Sequence, residues 1–300
     1  TFAESEIIPT HDLCVAIFTN EEGVRFQPDM LGSLVYAGGM SVQDAHNIVS
    51  TDGKKLLDEL TNTNSLGSMK CGSIIPHAFI ELHIEQGPVL ENKNSYIGAV
   101  GGVQGISWTG VTFKGQSNHA GTTPMSMRKD AAYAASRLAI SVREITDSIG
   151  DGQVGTVGVI SPKPNLINVV PGEVYMTVDL RNIDEEKLKE AEFLLEEVIE
   201  YICLDEGVTV ETKQLVRFEP VDFDERIVDL INTVAYEQGL NCTRLNSGAG
   251  HDAQMMARIC PTAMIFVPSK DGISHNPKEY TSKEHLDAGA EVLLSTISKL

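Results

Sequence analysis

The run Phe18–Phe26, FTNEEGVRF, sets two carboxylates side by side after an apolar stretch, LCVAIF. Adjacent acids repel, and taking either out of water is costly. On residue types alone, a solvated turn is the ordinary reading. Three further clusters shift the balance. HIEQG places His83 at a strand end with Glu85 and Gln86 beside it, and SHNPKE places His275 in a turn that Pro277 keeps from becoming a helix. SGAGHDA places His251 and Asp252 after a flexible Gly-Ala-Gly run, at the start of a helix whose N–H groups could face an anion. A lone histidine is usually a hydrogen-bonded surface or core residue. Several carboxylates and imidazoles without a thiolate form a donor set suited to a divalent ion such as zinc or manganese.

These clusters fall at the C-terminal ends of expected strands or in the loops that follow, where open α/β sheets place their sites. Asp12–Phe18 reads as a short buried strand, with Glu21 and Glu22 just past its end. Val42–Asn62 reads as short amphipathic helices broken near Gly53. Ala78–Ile84 and Tyr96–Val103 read as strands. The texture changes near Ile106. A strand, ISWTGVTFKG, leads to a helix over Arg128–Ser148 and strands at Gly155–Ile160 and Glu173–Asn182. A charged helix over Asp184–Glu206, capped by Asp184 and closed by Gly207, then leads to a strand at Val208–Val216. Strand–helix–strand–strand–helix–strand is the split βαβ, ferredoxin-like order. Helices at Asp224–Gln238 and Ser282–Ser298 flank a buried strand at Cys260–Val267. The expected architecture is an α/β open-sheet domain over residues 1–106 and 221–300, with an α+β domain over 107–220 inserted in it.

The chain has 300 residues, 42% of them hydrophobic, and a formal net charge of −19 from 42 acids against 23 bases. That balance argues against nucleic acid and against anionic membrane surfaces, both of which need basic residues. No apolar run approaches the ~20 residues of a membrane span, and the start TFAESEIIPTHDL lacks the layout of a signal peptide. Five scattered cysteines, Cys14, Cys71, Cys203, Cys242 and Cys260, form no C-x-x-C pair. Reduced thiols in a cytoplasmic protein, mostly filling core, are expected.

Over essentially its whole length the sequence resembles the metal-dependent amidohydrolases of the M20 peptidase superfamily. Within it, the sequence is similar to the branch of N-carbamoyl-L-amino acid hydrolases and allantoate amidohydrolases. FTNEEGVRF, HIEQGPVLE, GVQGISW, GQSNHAGTTPM, NVVPGEV, DLRN, SGAGHDA and ISHNPKEYT carry the resemblance, in family order. HIEQGPVLE together with NHAGTTPM is the specific part. The resemblance implies that Glu21 is the general base and that Glu22, His83 and His275 are metal ligands. Two divalent ions, zinc, manganese, cobalt or nickel, would serve the complete enzyme, in a cytoplasmic setting. His119 would donate to the oxyanion, typically in the site of a partner subunit, so a homodimer through the inserted domain, which also acts as a lid, is implied. Arg181 and Asn168 would hold the substrate carboxylate. Gln86, Gly250 and His251 would meet the rest of a small ureido substrate.

The resemblance also has a gap. The family carries a His-x-Asp segment and a bridging aspartate upstream of the Glu-Glu pair, whereas twenty residues precede Glu21 here and His11–Asp12 does not fit that motif. TFAESEIIP reads as the tail of a helix. The expectation is that the N-terminal portion of a family member is missing, so that the chain as given holds little or no metal and does not turn over. The implied reaction is hydrolysis of the carbamoyl C–N bond of an N-carbamoyl-L-amino acid, releasing ammonia and CO2. Allantoate or ureidoglycolate hydrolysis, a peptidase or deacylase activity, and a non-catalytic dimerising fragment stay open.

Overall fold

A computed structural model describes residues 10–150 and 152–300. The reading of residues 1–9 as a helix tail falls outside the described residues. The chain divides into two compact units, residues 1–103 with 221–300, and residues 104–220.

The first unit begins with three short helices, α1 (Leu31–Tyr36), α2 (Val42–Asn47) and α3 (Leu56–Asn62). Its strands and helices then run β1 (Phe79–Ile84), α4 (Val89–Asn92) and β2 (Ile97–Val103). After the second unit come β9 (Val221–Asp222), α7 (Glu225–Glu237), β10 (Cys242–Ser247), α8 (Asp252–Met256), β11 (Thr262–Val267) and α9 (Lys283–Ile297). The sheet order is β1-β11-β2-β10, with β9 on β2. β1 runs parallel to β11 and β2 parallel to β10, while β11 and β2 are antiparallel. Every side chain of TAMIFV in β11 is buried. Successive strand side chains leave opposite faces, so both faces of this strand are covered, which explains its unbroken apolar run. α7 and α9 pack on the sheet, and α8 packs on β1 and β11.

One expected strand is absent. Residues 12–18 form no strand, Val15 and Ile17 are 92% and 91% exposed, and no strand among the described residues pairs with them. An apolar run becomes a strand only where a neighbour takes its backbone N–H and C=O groups, which composition does not reveal. Glu21 and Glu22 are therefore not strand-end residues. They sit in a turn that caps α1, where Met30, Leu31 and Gly32 N–H donate to the carbonyls of Glu21, Asn20 and Thr19. The Asn20 amide also ties the carbonyls of Phe26 (2.8 Å) and Pro28 (3.2 Å). The core-filling role expected of the cysteines fits Cys260 alone in full: Cys14 and Cys71 are exposed, Cys203 and Cys242 half-buried, and all five are free.

The second unit contains β3 (Gly105–Lys114), β4 (Asn118–His119), α5 (Ala131–Ile149), β5 (Val154–Lys163), β6 (Val169–Val170), β7 (Glu173–Asn182), α6 (Glu185–Glu206) and β8 (Thr209–Phe218). Its antiparallel sheet has the order β5-β7-β3-β8. β7 alternates strictly, with Val174, Met176, Val178 and Leu180 buried against α5 and α6 and Tyr175, Thr177, Asp179 and Arg181 on the other face. Ala131, Ala134 and Ala135, all fully buried, let α5 lie close to this sheet. Asp130 and Asp184 accept the first backbone N–H groups of α5 and α6, as Asp224 does for α7. Each such cap contributes about 1 kcal/mol. Among the described residues, no helix is long and apolar enough to cross a membrane.

Candidate metal centre

Glu81 and His83 lie two residues apart on β1, so their side chains leave the same face of the sheet. The loop after β10 brings His251 to that face as the N-cap residue of α8. One ligand atom from each of the three lies within 4.8 Å of the others. Glu81 is anchored at one oxygen, where Oε2 accepts the Ala253 N–H at 2.8 Å. The first turn of α8 therefore meets an anion supplied by the chain itself. Oε1 lies 3.8 Å from His251 Nδ1. His83 Nδ1 hydrogen-bonds the Ile84 carbonyl at 2.8 Å, which places the proton on Nδ1 and leaves Nε2 as the bare nitrogen. His251 is 1% exposed, with Ser247 Oγ at 2.8 Å from Nε2 and no hydrogen-bond partner at Nδ1. Phe266 forms an apolar wall against both rings, its centroid 6.4 Å from His83 and 5.6 Å from His251.

The electrostatics follow from that geometry. Burial, and then Asp252 and Glu21, push the Glu81 carboxyl up to about 7, with the Ala253 N–H working against them. Burial and the neighbouring His83 hold the His251 imidazole down at about 3, so it is neutral. Glu21 is likewise pushed up to about 7, by burial first and then by Asp252, Glu22 and Asp29, with His275 opposing. Burial also raises the Asp252 carboxyl, while its hydrogen bond from Ser33 Oγ, at 2.5 Å, lowers it. Glu22 and His275 are exposed and face one another, His275 Nε2 lying 3.9 Å from Glu22 Oε2. His275 takes a positive φ of 53°, and its N–H donates to Glu279 Oε2 at 3.0 Å. Among the described residues, no lysine or arginine pairs with Glu21, Glu81 or Asp252. Crowded carboxylates, the bare His83 Nε2, an unpartnered His251 Nδ1 and no neutralising cation are what a divalent ion fits. The buried His251 Nδ1, without a hydrogen-bond partner and 3.8 Å from Glu81 Oε1, is the sharpest sign of that fit, since a buried polar atom left unsatisfied is costly.

Of the residues expected from sequence, the structure thus brings Glu22 to His275 and His83 to His251. Gln86 sits at the end of β1 with φ 57°, its N–H on Ser269 Oγ at 3.0 Å. Glu85 caps α4 by accepting the Val89 and Leu90 N–H groups. A Cβ on Gly250 would stand 2.8 Å from Met30 Cε, the flexible end of a side chain that would have to shift to make room.

In residues 104–220, His119 and Asn168 come together through the β4–β6 pair, with the Ala120 N–H on the Asn168 carbonyl at 2.9 Å. His119 Nδ1 accepts N–H groups from Gly121 (3.0 Å) and Thr122 (3.3 Å). The proton is therefore on Nε2, which makes the exposed ring an outward donor. Arg128 holds this loop through the carbonyls of Ala120 and Thr123. Arg181 forms a two-pronged pair with Asp179, at 3.0 and 2.9 Å.

Glu81, Asp252 as a charged neighbour of Glu21, and Ser33 and Ser247 as supports escaped the sequence reading of the site. Glu81 carried a usable signal, because it is two residues before His83 in a strand and so shares its face. The serines carried none, since their partners are distant in sequence.

Known proteins give a consistent picture. The profile of peptidase family M20/M25/M40 matches residues 1–299. An N-carbamoyl-L-amino-acid amidohydrolase of Rhizobium meliloti is 40% identical over 287 residues, 96% of this chain and 69% of that protein. An allantoate amidohydrolase of Escherichia coli (strain K12) is 36% identical, covering 97% of this chain and 72% of its own length. The crystal structure of an amidase of the hydantoinase/carbamoylase family from Burkholderia multivorans is similar with a TM-score of 0.94 and 39% identity, over 99% of this chain and 72% of that one.

Proposed function

The chain belongs to peptidase family M20/M25/M40, and on that premise we propose that it is a metal-dependent amidohydrolase acting on the ureido C–N bond of an N-carbamoyl-L-amino acid. One water is consumed and the free amino acid, CO2 and ammonia are formed. The observation that carries this is the convergence of Glu81, His83 and the unpartnered, buried His251 Nδ1 beside a Glu21 carboxyl raised to about 7. The two relatives named for carbamoyl and allantoate substrates support the ureido class.

Glu81, His83 and His251, together with Glu22 and His275, are the residues that would hold divalent ions. Such an ion supplies Lewis-acid polarisation of the ureido carbonyl and acidifies water near it. Glu21 takes the proton of the attacking water, for which a carboxylate tuned towards neutral pH is suited, and returns it to the leaving nitrogen. His119, with its proton fixed on Nε2 by two backbone N–H groups, donates to the oxygen as charge develops on it. Arg181 receives the substrate carboxylate while Asp179 holds its guanidinium in place. Within residues 104–220, Asn168 beside His119 offers a further polar group, and within the first unit Gln86 and the backbone at Gly250 do so. Residues 104–220 present two open sheet edges, β5 and β8, and through them we assign a homodimer in which His119 serves the partner's site.

The test is ammonia release from N-carbamoyl-L-amino acids, allantoate and a dipeptide, by protein loaded with zinc, manganese, cobalt or nickel and by a chelated control. Metal-dependent release from a carbamoyl substrate is expected, in place of the little metal and absent turnover implied by sequence alone, because Glu81, His83 and His251 bring ligand atoms together. Cleavage of the dipeptide alone, or no release with metal bound, would overturn the ureido assignment.

A further inference from the structure

β1 and β11 are parallel neighbours, so the chain leaves both at the same end of the sheet. The loops that follow them, residues 85–88 and 268–281, carry Gln86 and His275. They also carry an uncommon backbone. Gln86 (φ 57°), Asp271 (φ 56°) and His275 (φ 53°) are left-handed although each has a Cβ. In each case the residue's own N–H is taken by a side-chain oxygen. Gln86 donates to Ser269 Oγ at 3.0 Å, Asp271 to Glu91 Oε2 at 2.7 Å and His275 to Glu279 Oε2 at 3.0 Å. The first two bonds run between the loops in opposite directions. Ser269, which is fully buried, receives the loop after β1, and Glu91, on α4, receives the loop after β11. Gly272 (φ 63°) brings the two backbones close, for a Cβ there would stand 2.9 Å from Pro88 N. Backbone of this kind persists only where its surroundings over-determine it, and it collects at functional sites.

We infer that Glu91 is a positioning residue: with Ser269 it clasps the loop after β1 to the loop after β11, so that Gln86 and His275 are presented as one rigid unit. Glu91 can do this because α4 is itself tied to the end of β1. Glu85 accepts the Val89 and Leu90 N–H groups, at 2.7 and 2.8 Å, which fixes the helix that carries Glu91. The carboxylate then hands that position to the backbone of Asp271, four residues before His275. Water could take the Asp271 N–H in any conformation of the loop, whereas Glu91 takes it only in the left-handed one. Each bond of the clasp holds the geometry the other needs, so cutting either one loosens both loops. The inference rests on the ureido-hydrolase reading above, in which Gln86 meets substrate and His275 would hold an ion. It adds the residue that keeps the two in register.

The experiment follows amide hydrogen exchange by NMR in the chelated wild type, Glu91→Ala, Glu91→Gln and Ser269→Ala. Glu91→Ala should speed exchange at Asp271, Gln86 and His275 by about 10-fold, the worth of one hydrogen bond to a charged acceptor, and leave residues 104–220 unchanged. Ser269→Ala should loosen the same three amides from the other side. Glu91→Gln, whose amide oxygen still accepts, should exchange as the wild type does. Loosening confined to the one amide whose acceptor was removed, or no loosening, overturns the inference. Cobalt affinity and the KM for an N-carbamoyl amino acid are read on the same proteins. In Glu91→Ala the affinity should fall and the KM rise, each by about 10-fold, and both should recover in Glu91→Gln. Loosened amides with both values unchanged overturn the positioning role, because the clasp would then serve the fold alone. Turnover by a Glu91→Ala whose amides exchange as the wild type's do sinks this inference and spares the ureido assignment. The expected exchange pattern and fall in cobalt affinity, with no turnover by any of the four proteins, uphold it and sink the ureido assignment alone.

Discussion

Replacing Glu81 by Gln should make the metal-free protein more stable at alkaline pH and weaken its hold on metal. Raising this carboxyl from the ordinary 4.5 to about 7 disfavours its ionised form by about 3 kcal/mol, at 1.36 kcal/mol per pH unit. The side chain is 18% exposed, so solvent screening removes little of that. Between these two pH values the folded protein retains a proton that the unfolded chain has released. The contribution of this group to stability is therefore greatest below pH 4.5, falls as the pH rises to about 7, and stays at the lower level above it. Glutamine does not titrate. Its amide oxygen can still accept the Ala253 N–H, and the rest of its amide can pair with the unpartnered His251 Nδ1. At pH 8.5 in chelator, Glu81→Gln should thus be more stable by about 3 kcal/mol, roughly 6–10 °C in melting temperature. At pH 5 the difference should shrink to under about 1 kcal/mol. With zinc or cobalt added the order should reverse, because the wild type gains a ligand-bound state that the variant forms poorly. Thermal unfolding followed by circular dichroism at both pH values, with and without metal, reads all of this. A variant that melts at or below the wild-type temperature at pH 8.5 without metal would refute the claim that Glu81 is a buried, uncompensated carboxylate.

Glu21→Gln should lower turnover of a carbamoyl substrate by about 10²–10⁴-fold with metal content unchanged; loss of metal along with activity, read by elemental analysis, would move Glu21 into the ligand set. Arg181→Ala should raise KM by an amount worth about 2–5 kcal/mol, since the substrate carboxylate then lacks its partner; an unchanged KM in steady-state kinetics would remove the arginine from the site. Gly250→Ala should destabilise the protein by no more than about 1 kcal/mol, because the new Cβ would stand 2.8 Å from Met30 Cε, the end of a flexible side chain that can turn aside; a larger loss, read from the urea midpoints of the two proteins, would argue otherwise. Light scattering at micromolar concentration should give a dimer, and a folded monomer would contradict the pairing through residues 104–220.

Local signals were legible because local physics produces them. Asp184 and Gly207 marked helix ends by capping chemistry that acts within a few residues. The alternation EVYMTVDLRN marked a strand with one face on helices, and TAMIFV marked one covered on both. The types of the chemical residues were legible too, since Glu22, His83 and His275 stand in recognisable runs. Their company was not. The sequence sets the Glu21–Glu22 pair behind an apolar run, but whether that run joins a sheet depends on a backbone neighbour, and residues 12–18 have none among the described strands. Glu81 meets the backbone of Ala253 across 172 positions, and Ser33 meets Asp252 across 219. Chain closure over such spans is a property of the packed sheet and its helices, with no local trace. The raised carboxyls of Glu21 and Glu81 and the lowered imidazole of His251 arise from burial and from charges that only the fold assembles. The sequence by itself determined which groups are available to bind an ion and a substrate. The tertiary structure decided which of them are desolvated, which histidine nitrogens are left without a partner, and therefore where a cation is held.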